Sequence, residues 1–151
     1  MNTTTNDNEK KEASKTKAKP AILRPTELPA ADRGNGNKTI PLVSSAVGSR
    51  VMLNGITAIA PGQAIGLHTH NCEESVIVIE GKALAELDGT DYPLDTFDTT
   101  WLPADVPHRF KNPSKDKMLR IFWTYASLDA TRTLVATGET HRIGSEHTKM
   151  R

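Results

Sequence analysis

Gly62-Gln63-Ala64-Ile65-Gly66-Leu67-His68-Thr69-His70-Asn71-Cys72-Glu73-Glu74-Ser75-Val76-Ile77-Val78-Ile79-Glu80-Gly81 is the stretch whose reading decides the fold. Its second half, from Ser75 to Glu80, is apolar, β-branched and closed by a glycine, the pattern of a strand ending in a turn. His68 and His70 are one residue apart, and on extended backbone that spacing puts both imidazoles on one face. Glu74 follows a short polar turn and opens the next strand, so a hairpin brings its carboxylate opposite the histidines. Taken alone, the His-x-His pair marks two exposed strand histidines or a weak surface metal site more often than a functional centre.

Working outward, the chain from residue 42 is a series of short apolar runs broken by turn residues: VMLNGITAIA before Pro61-Gly62, KALAEL before Asp88-Gly89, and TTWL before Pro103. Asp88-Gly89 supplies the positive φ angles that a tight hairpin between twisted strands requires, so the flanking strands are expected to be antiparallel. MLRIFWTY, after the turn Asn112-Pro113-Ser114-Lys115-Asp116, is expected to close the sheet. In it Ile121, Trp123 and Tyr125 share one face and Phe122 and Thr124 the other, with the inward face left open. Five or more short strands without a long 3.6-period segment predict an all-β sandwich or small barrel, a shape that encloses ligand cavities. A further histidine, His108, begins another strand within Trp101-Leu102-Pro103-Ala104-Asp105-Val106-Pro107-His108. Three imidazoles and one carboxylate would make an N3O site for a divalent transition metal.

These residues resemble the cupin superfamily. Its first motif, G-x5-H-x-H-x3-E-x6-G, is met at every fixed position by Gly62, His68, His70, Glu74 and Gly81. Its second, G-x5-P-x-G-x2-H-x3-N, is met by Pro103, His108 and Asn112, while Phe97 and Asp105 stand at the glycine positions. Asp tolerates left-handed backbone, so the turn at Asp105 is expected to be kept; Phe97 points to a turn that is longer or differently shaped. The resemblance spans about residues 55 to 125. It implies a double-stranded β-helix, the jelly-roll cupin barrel, with metal ligands His68, His70, Glu74 and His108, and suggests a homodimer paired through edge strands.

The ends read differently. Residues 1 to 20 contain five lysines, three acids and no Val, Ile, Leu, Phe, Trp or Tyr, and are expected to form a disordered tail. Residues 21 to 41, with Pro25, Pro29, Pro41 and the turn-prone Gly34-Asn35-Gly36-Asn37, read as an extended lead-in lying on the surface. The barrel is expected over 42 to 127 and a C-terminal extension over 128 to 151, where SLDATRTLVATG fits a short helix or a strand and GETHRIGSEHTKMR reads as a surface tail with His141 and His147 exposed. Trp101, Phe110, Phe122, Trp123 and Tyr125 are expected in the core. Glu73 is assigned to solvent, Cys72 to packing, and Thr69, Asn71 and Asn112 are candidate partners for the imidazoles.

Composition narrows the function. With 19 Lys+Arg against 18 Asp+Glu, the net charge of +1 gives no general attraction to nucleic acid or anionic lipid. No run approaches the roughly 18 apolar residues of a membrane span, and no apolar leader precedes the domain, so a cytoplasmic location is expected. One cysteine excludes an intrachain disulfide. The expected cofactor is one divalent transition metal, among Fe, Mn, Zn, Ni and Co, and the expected partner is a small chelating substrate such as a hydroxy acid, catechol or β-dicarbonyl. The expected activity is a metal-dependent enzyme, oxygenase ahead of lyase, decarboxylase or isomerase, with Glu74 as the catalytic side chain. The alternative is a non-catalytic module that senses or stores a small ligand.

Overall fold

The structure, a computed structural model, describes residues 18–147. Twelve strands pair into two six-stranded antiparallel sheets: β1 (Ala31–Gly34), β2 (Asn37–Pro41), β3 (Leu53–Ile59), β4 (His68–His70), β5 (Glu74–Glu80), β6 (Ala83–Leu87), β7 (Thr90–Leu94), β8 (Thr99–Leu102), β9 (His108–Lys111), β10 (Leu119–Tyr125), β11 (Thr131–Leu134) and β12 (Thr140–Arg142). One sheet has the order β1-β2-β3-β10-β5-β8 and the other β12-β11-β4-β9-β6-β7. This is the all-β jelly-roll barrel expected. Among the described residues there is no α-helix, and no helix long and apolar enough to cross a membrane.

The period-two pattern decides what faces inward. Leu53, Gly55, Thr57 and Ile59 of β3, Glu74, Val76 and Val78 of β5, and Leu119, Ile121, Trp123 and Tyr125 of β10 are all buried, with less buried residues between them. The face left open in the sequence is thereby fixed: Ile121, Trp123 and Tyr125 point in. Trp123 Nε1 donates to Thr57 Oγ1 at 2.8 Å, and Thr57 Oγ1 lies 2.9 Å from Thr39 Oγ1, so the indole's polar edge is satisfied inside the apolar core. Gly55 makes room for that indole, because a Cβ there would sit 2.6 Å from Trp123 Cζ2 and from the Ile40 carbonyl.

Several expectations are corrected. The MLRIFWTY strand does not close its sheet: β10 lies in the middle, hydrogen-bonded to β3 on one side and β5 on the other, as its buried alternate residues require. The lead-in 21–41 carries the β1–β2 hairpin, which pairs with β3 and buries Ala31, Asn37 and Thr39. The C-terminal residues are no surface tail: β11 and β12 extend the second sheet, and a 3-10 turn over Ile143–His147 buries Ile143 and Glu146. His141 and His147 are partly buried there rather than exposed. Trp101, on the edge strand β8, is 65% exposed and Phe122 is half-buried, whereas Phe110, Trp123 and Tyr125 are core residues as expected. The tail expected over 1–20 lies, up to residue 17, outside the described residues.

Both substituted glycine positions keep glycine-like backbone. Asp105 has φ 66° and Phe97 φ 74°, so Phe97 occupies the left-handed turn rather than lengthening it.

Candidate metal centre

Strands β4, β5 and β9 bring the four expected side chains together. His68 pairs with His108 across β4 and β9, and the single residue between His68 and His70 puts both on the inner face. Glu74, first residue of β5, enters from the opposite sheet. All four are at most 5% exposed. One ring nitrogen from each of the three histidines falls within 4.8 Å of the other two, a group that can hold one ion. Glu74 Oε2 lies 3.1 Å from His70 Nε2 and 3.0 Å from His108 Nε2.

The backbone fixes which nitrogen faces inward. His68 Nδ1 lies 2.6 Å from the Gly66 carbonyl, His70 Nδ1 2.9 Å from the Thr131 carbonyl and His108 Nδ1 2.8 Å from the Val106 carbonyl. A carbonyl only accepts, so each Nδ1 is held as a donor and each Nε2 is turned to the centre, where it can donate to Glu74 when it carries a proton or ligate a cation when it does not. Three lone pairs and a carboxylate oxygen at these separations repel one another unless a proton or a cation lies between them. The donor set therefore fits a divalent transition metal, and the carbonyls supply the outer contacts that orient such ligands. The carbonyls take the role expected of Thr69, Asn71 and Asn112, and the two asparagines do other work. Asn112 Nδ2 donates to the Ile59 and Lys117 carbonyls, and Asn71 ties the start of β11 to the β4 loop through Thr131 N and the Asp129 carbonyl. Asn71 thus acts only indirectly, by holding the strand whose Thr131 carbonyl orients His70.

Electrostatics follow from burial and neighbours. Burial, the Arg132 charge and the adjacent rings hold the His68 imidazole well below its ordinary pKa, so it stays neutral and able to ligate. Burial alone would raise Glu74, but hydrogen bonds from His108 and His70 and their charges outweigh it and bring the carboxyl down to about 2. Burial and the Glu74 charge push the Tyr125 phenol well above its usual value, so it remains a donor; its hydroxyl lies 3.4 Å from His70 Nε2. Cys72 packs partly buried against the core, and burial raises its thiol, which makes it an inert packing residue. Glu73 is exposed as expected, its Oε1 accepting from Trp101 Nε1 at 2.9 Å.

A narrow cavity opens beside His68, Glu74 and Tyr125 and continues to Arg33, Arg132 and Glu146. A water centre has about 20 Å³ there, room for one ordered water and too little for an organic substrate. Sequence reasoning missed Arg33, Arg132 and Glu146, and read Tyr125 as barrel core or pocket wall without fixing its face. Tyr125 alone left a signal, its place on the face shared by Ile121 and Trp123.

Comparison with known proteins follows the same lines. The family described as Cupin domain matches residues 55–125. The polyketide synthase CurC of Streptomyces cyaneus is 32% identical over 108 residues, 70% of each chain. The polyketide cyclase RemF of Streptomyces resistomycificus superposes with a TM-score of 0.68 at 14% identity, over 83% of this chain and 86% of that one. A predicted oxalate decarboxylase of Thermotoga maritima superposes at 0.64 with 22% identity, over 72% of this chain and all of that one. At such identities the two structures speak to fold alone.

Proposed function

This chain belongs to the cupin family, and from that premise we propose that it is a metal-dependent enzyme that enolises and cyclises a β-dicarbonyl substrate. The carrying observation is the convergence of a ring nitrogen from each of His68, His70 and His108 at one buried point, with Glu74 Oε2 3.1 Å from His70 Nε2 and 3.0 Å from His108 Nε2, beside a cavity. His68, His70 and His108 would hold the metal with Glu74 as fourth donor. Glu74 faces the Nε2 atoms of His70 and His108, which fits a fourth ligand on the same ion. When bound, a divalent ion in such a site would act as a Lewis acid toward chelating oxygens and acidify the C–H bonds next to a bound carbonyl. The chain's part is to hold the three rings by their Nδ1–H bonds and to keep Tyr125 protonated as a hydrogen-bond donor to substrate oxygen. Cyclisation takes precedence over the oxygenation expected from the ligands alone, because a relative sharing 32% identity is named as a polyketide synthase and the fold is shared with a polyketide cyclase.

The test uses protein loaded with one metal at a time, among Fe, Mn, Co, Ni and Zn, and 2,4,6-heptanetrione, whose terminal methyl carbon closes on the far ketone and, with loss of one water, gives 3,5-dihydroxytoluene, distinguished from the isomeric pyranone by its phenol absorbance. Metal-dependent formation of the dehydrated ring without oxygen consumption is expected. Stoichiometric oxygen uptake would replace cyclisation by oxygenation. Tight binding with neither would make the protein a ligand-binding module.

A further inference from the structure

Beyond the metal centre, the same cavity holds a second charged cluster. Glu146, from the Ile143–His147 turn, accepts from Arg132 Nε at 2.5 Å and from Arg132 Nη2 at 3.5 Å, and pairs with Arg33 Nη1 at 2.9 Å and with His141 Nε2 at 2.8 Å. Arg132 is 6% exposed and Glu146 likewise. Two guanidinium groups share this one carboxylate, and Arg132 Nη1 is buried with no hydrogen-bond partner among the described residues. An orphaned charged donor is costly in a low-dielectric interior, and a fold that only needed a brace would be served by one arginine.

The position of Arg132 gives the unpartnered donor a use. Arg132 is the cross-strand partner of His70, both on the inner face, so its guanidinium and the metal ligands line one wall. The bidentate geometry of arginine suits a carboxylate. The cavity as it stands admits no organic molecule, and one of the groups lining it is the chain's own carboxylate on a five-residue turn. We propose that Arg132, assisted by Arg33, is the receptor for a carboxylate carried by the substrate, and that Glu146 occupies this receptor until the substrate's carboxylate displaces it and the turn swings out. Resting on the metal-centre reading, this narrows the substrate class to β-dicarbonyl acids, with the chelating oxygens at the histidines and the carboxylate at Arg132.

The probes are 3,5-dioxohexanoate and its methyl ester, which share the β-diketone and differ in the charge. Binding to zinc-loaded and to metal-free protein is followed by titration calorimetry, with emission of Trp123, whose ring stacks on His147 at 5.7 Å, as a second readout. Glu146→Gln is expected to tighten acid binding about tenfold and ester binding much less, and the double variant Arg132→Gln/Glu146→Gln to bind acid and ester alike. In the unaltered protein, bound acid is expected to speed hydrogen exchange of the 143–147 amides and bound ester to leave it unchanged, a readout that survives if a variant fails to fold. An acid-to-ester ratio that is the same in Glu146→Gln and in the double variant, or exchange at 143–147 that the acid does not alter, overturns the receptor. Should the ester bind no better with zinc than without it, chelation at the histidines fails instead, and a preference for the acid in metal-free Glu146→Gln protein still supports the receptor.

Discussion

Phe97 donates its backbone N–H to the Val78 carbonyl at 2.6 Å from a left-handed conformation, φ 74°, with its side chain 76% exposed. The turn into β8 keeps a glycine's geometry while carrying a phenylalanine, and a bulky residue pays about 1–2 kcal/mol for that backbone. Phe97→Gly is therefore expected to stabilise the domain by about 0.5–1 kcal/mol after the added freedom of the unfolded glycine is subtracted, raising Tm by about 2–4 °C. Thermal melts of the two proteins decide it, and a lower Tm in the variant would show that the Phe97 ring is covered in solution.

Gly55 and Trp123 give the opposite case. A Cβ at Gly55 would sit 2.6 Å from the Trp123 ring and from the Ile40 carbonyl, and neither backbone nor a locked indole yields readily. Gly55→Ala is expected to cost about 2–3 kcal/mol and to disturb the Trp123 Nε1 to Thr57 hydrogen bond. Denaturant melts give the first and near-ultraviolet circular dichroism the second.

Stability should depend on pH through Glu146. Burial by itself would raise this carboxyl, but the charges of Arg132 and Arg33 and the hydrogen bonds from Arg132 and His141 bring it below its ordinary value. Because the folded pKa is depressed, the contribution is complete above the ordinary carboxyl pKa of about 4.5 and is lost as pH falls through the lower, folded value. At pH 7 Glu146→Gln is expected to cost about 3 kcal/mol, since it leaves two buried guanidinium groups unpaired. The gap between wild type and variant is expected to narrow steadily below pH 4.5. A gap that stays constant between pH 7 and pH 3 would contradict the pairing.

Metal removal should destabilise the barrel. An ion that binds only the folded chain adds about 2.7 kcal/mol at a hundred times its dissociation constant. Chelation is therefore expected to lower the Tm of the loaded protein by several degrees and to leave that of His108→Ala unchanged, measured side by side by calorimetry.

Much of this was legible in the residues. Gly62, His68, His70, Glu74, Gly81, Pro103, His108 and Asn112 stand at fixed spacings, and those spacings are set by strand period and turn length, which are local properties. Asp88-Gly89 announced its hairpin for the same reason, with φ 48° and 84° at the two positions. What could not be read is set by non-local pairing. Nothing within TRTL marks Arg132 as the partner of His70, because the register of β4 with β11 joins segments about sixty residues apart. Glu146 looked like a tail residue, since the arginines that bury it lie on β1 and β11. The outer contacts of the imidazoles were assigned to side chains, whereas the carbonyls of Gly66, Thr131 and Val106 supply them, and backbone carbonyls leave no trace in residue identity.

The most direct test of the metal centre is elemental analysis of protein purified without added metal, beside His68→Ala and His108→Ala prepared identically. Wild type is expected to carry close to one equivalent of a divalent transition metal per chain and each variant less than about a tenth of that. A full equivalent retained in either variant would contradict a site built on those histidines.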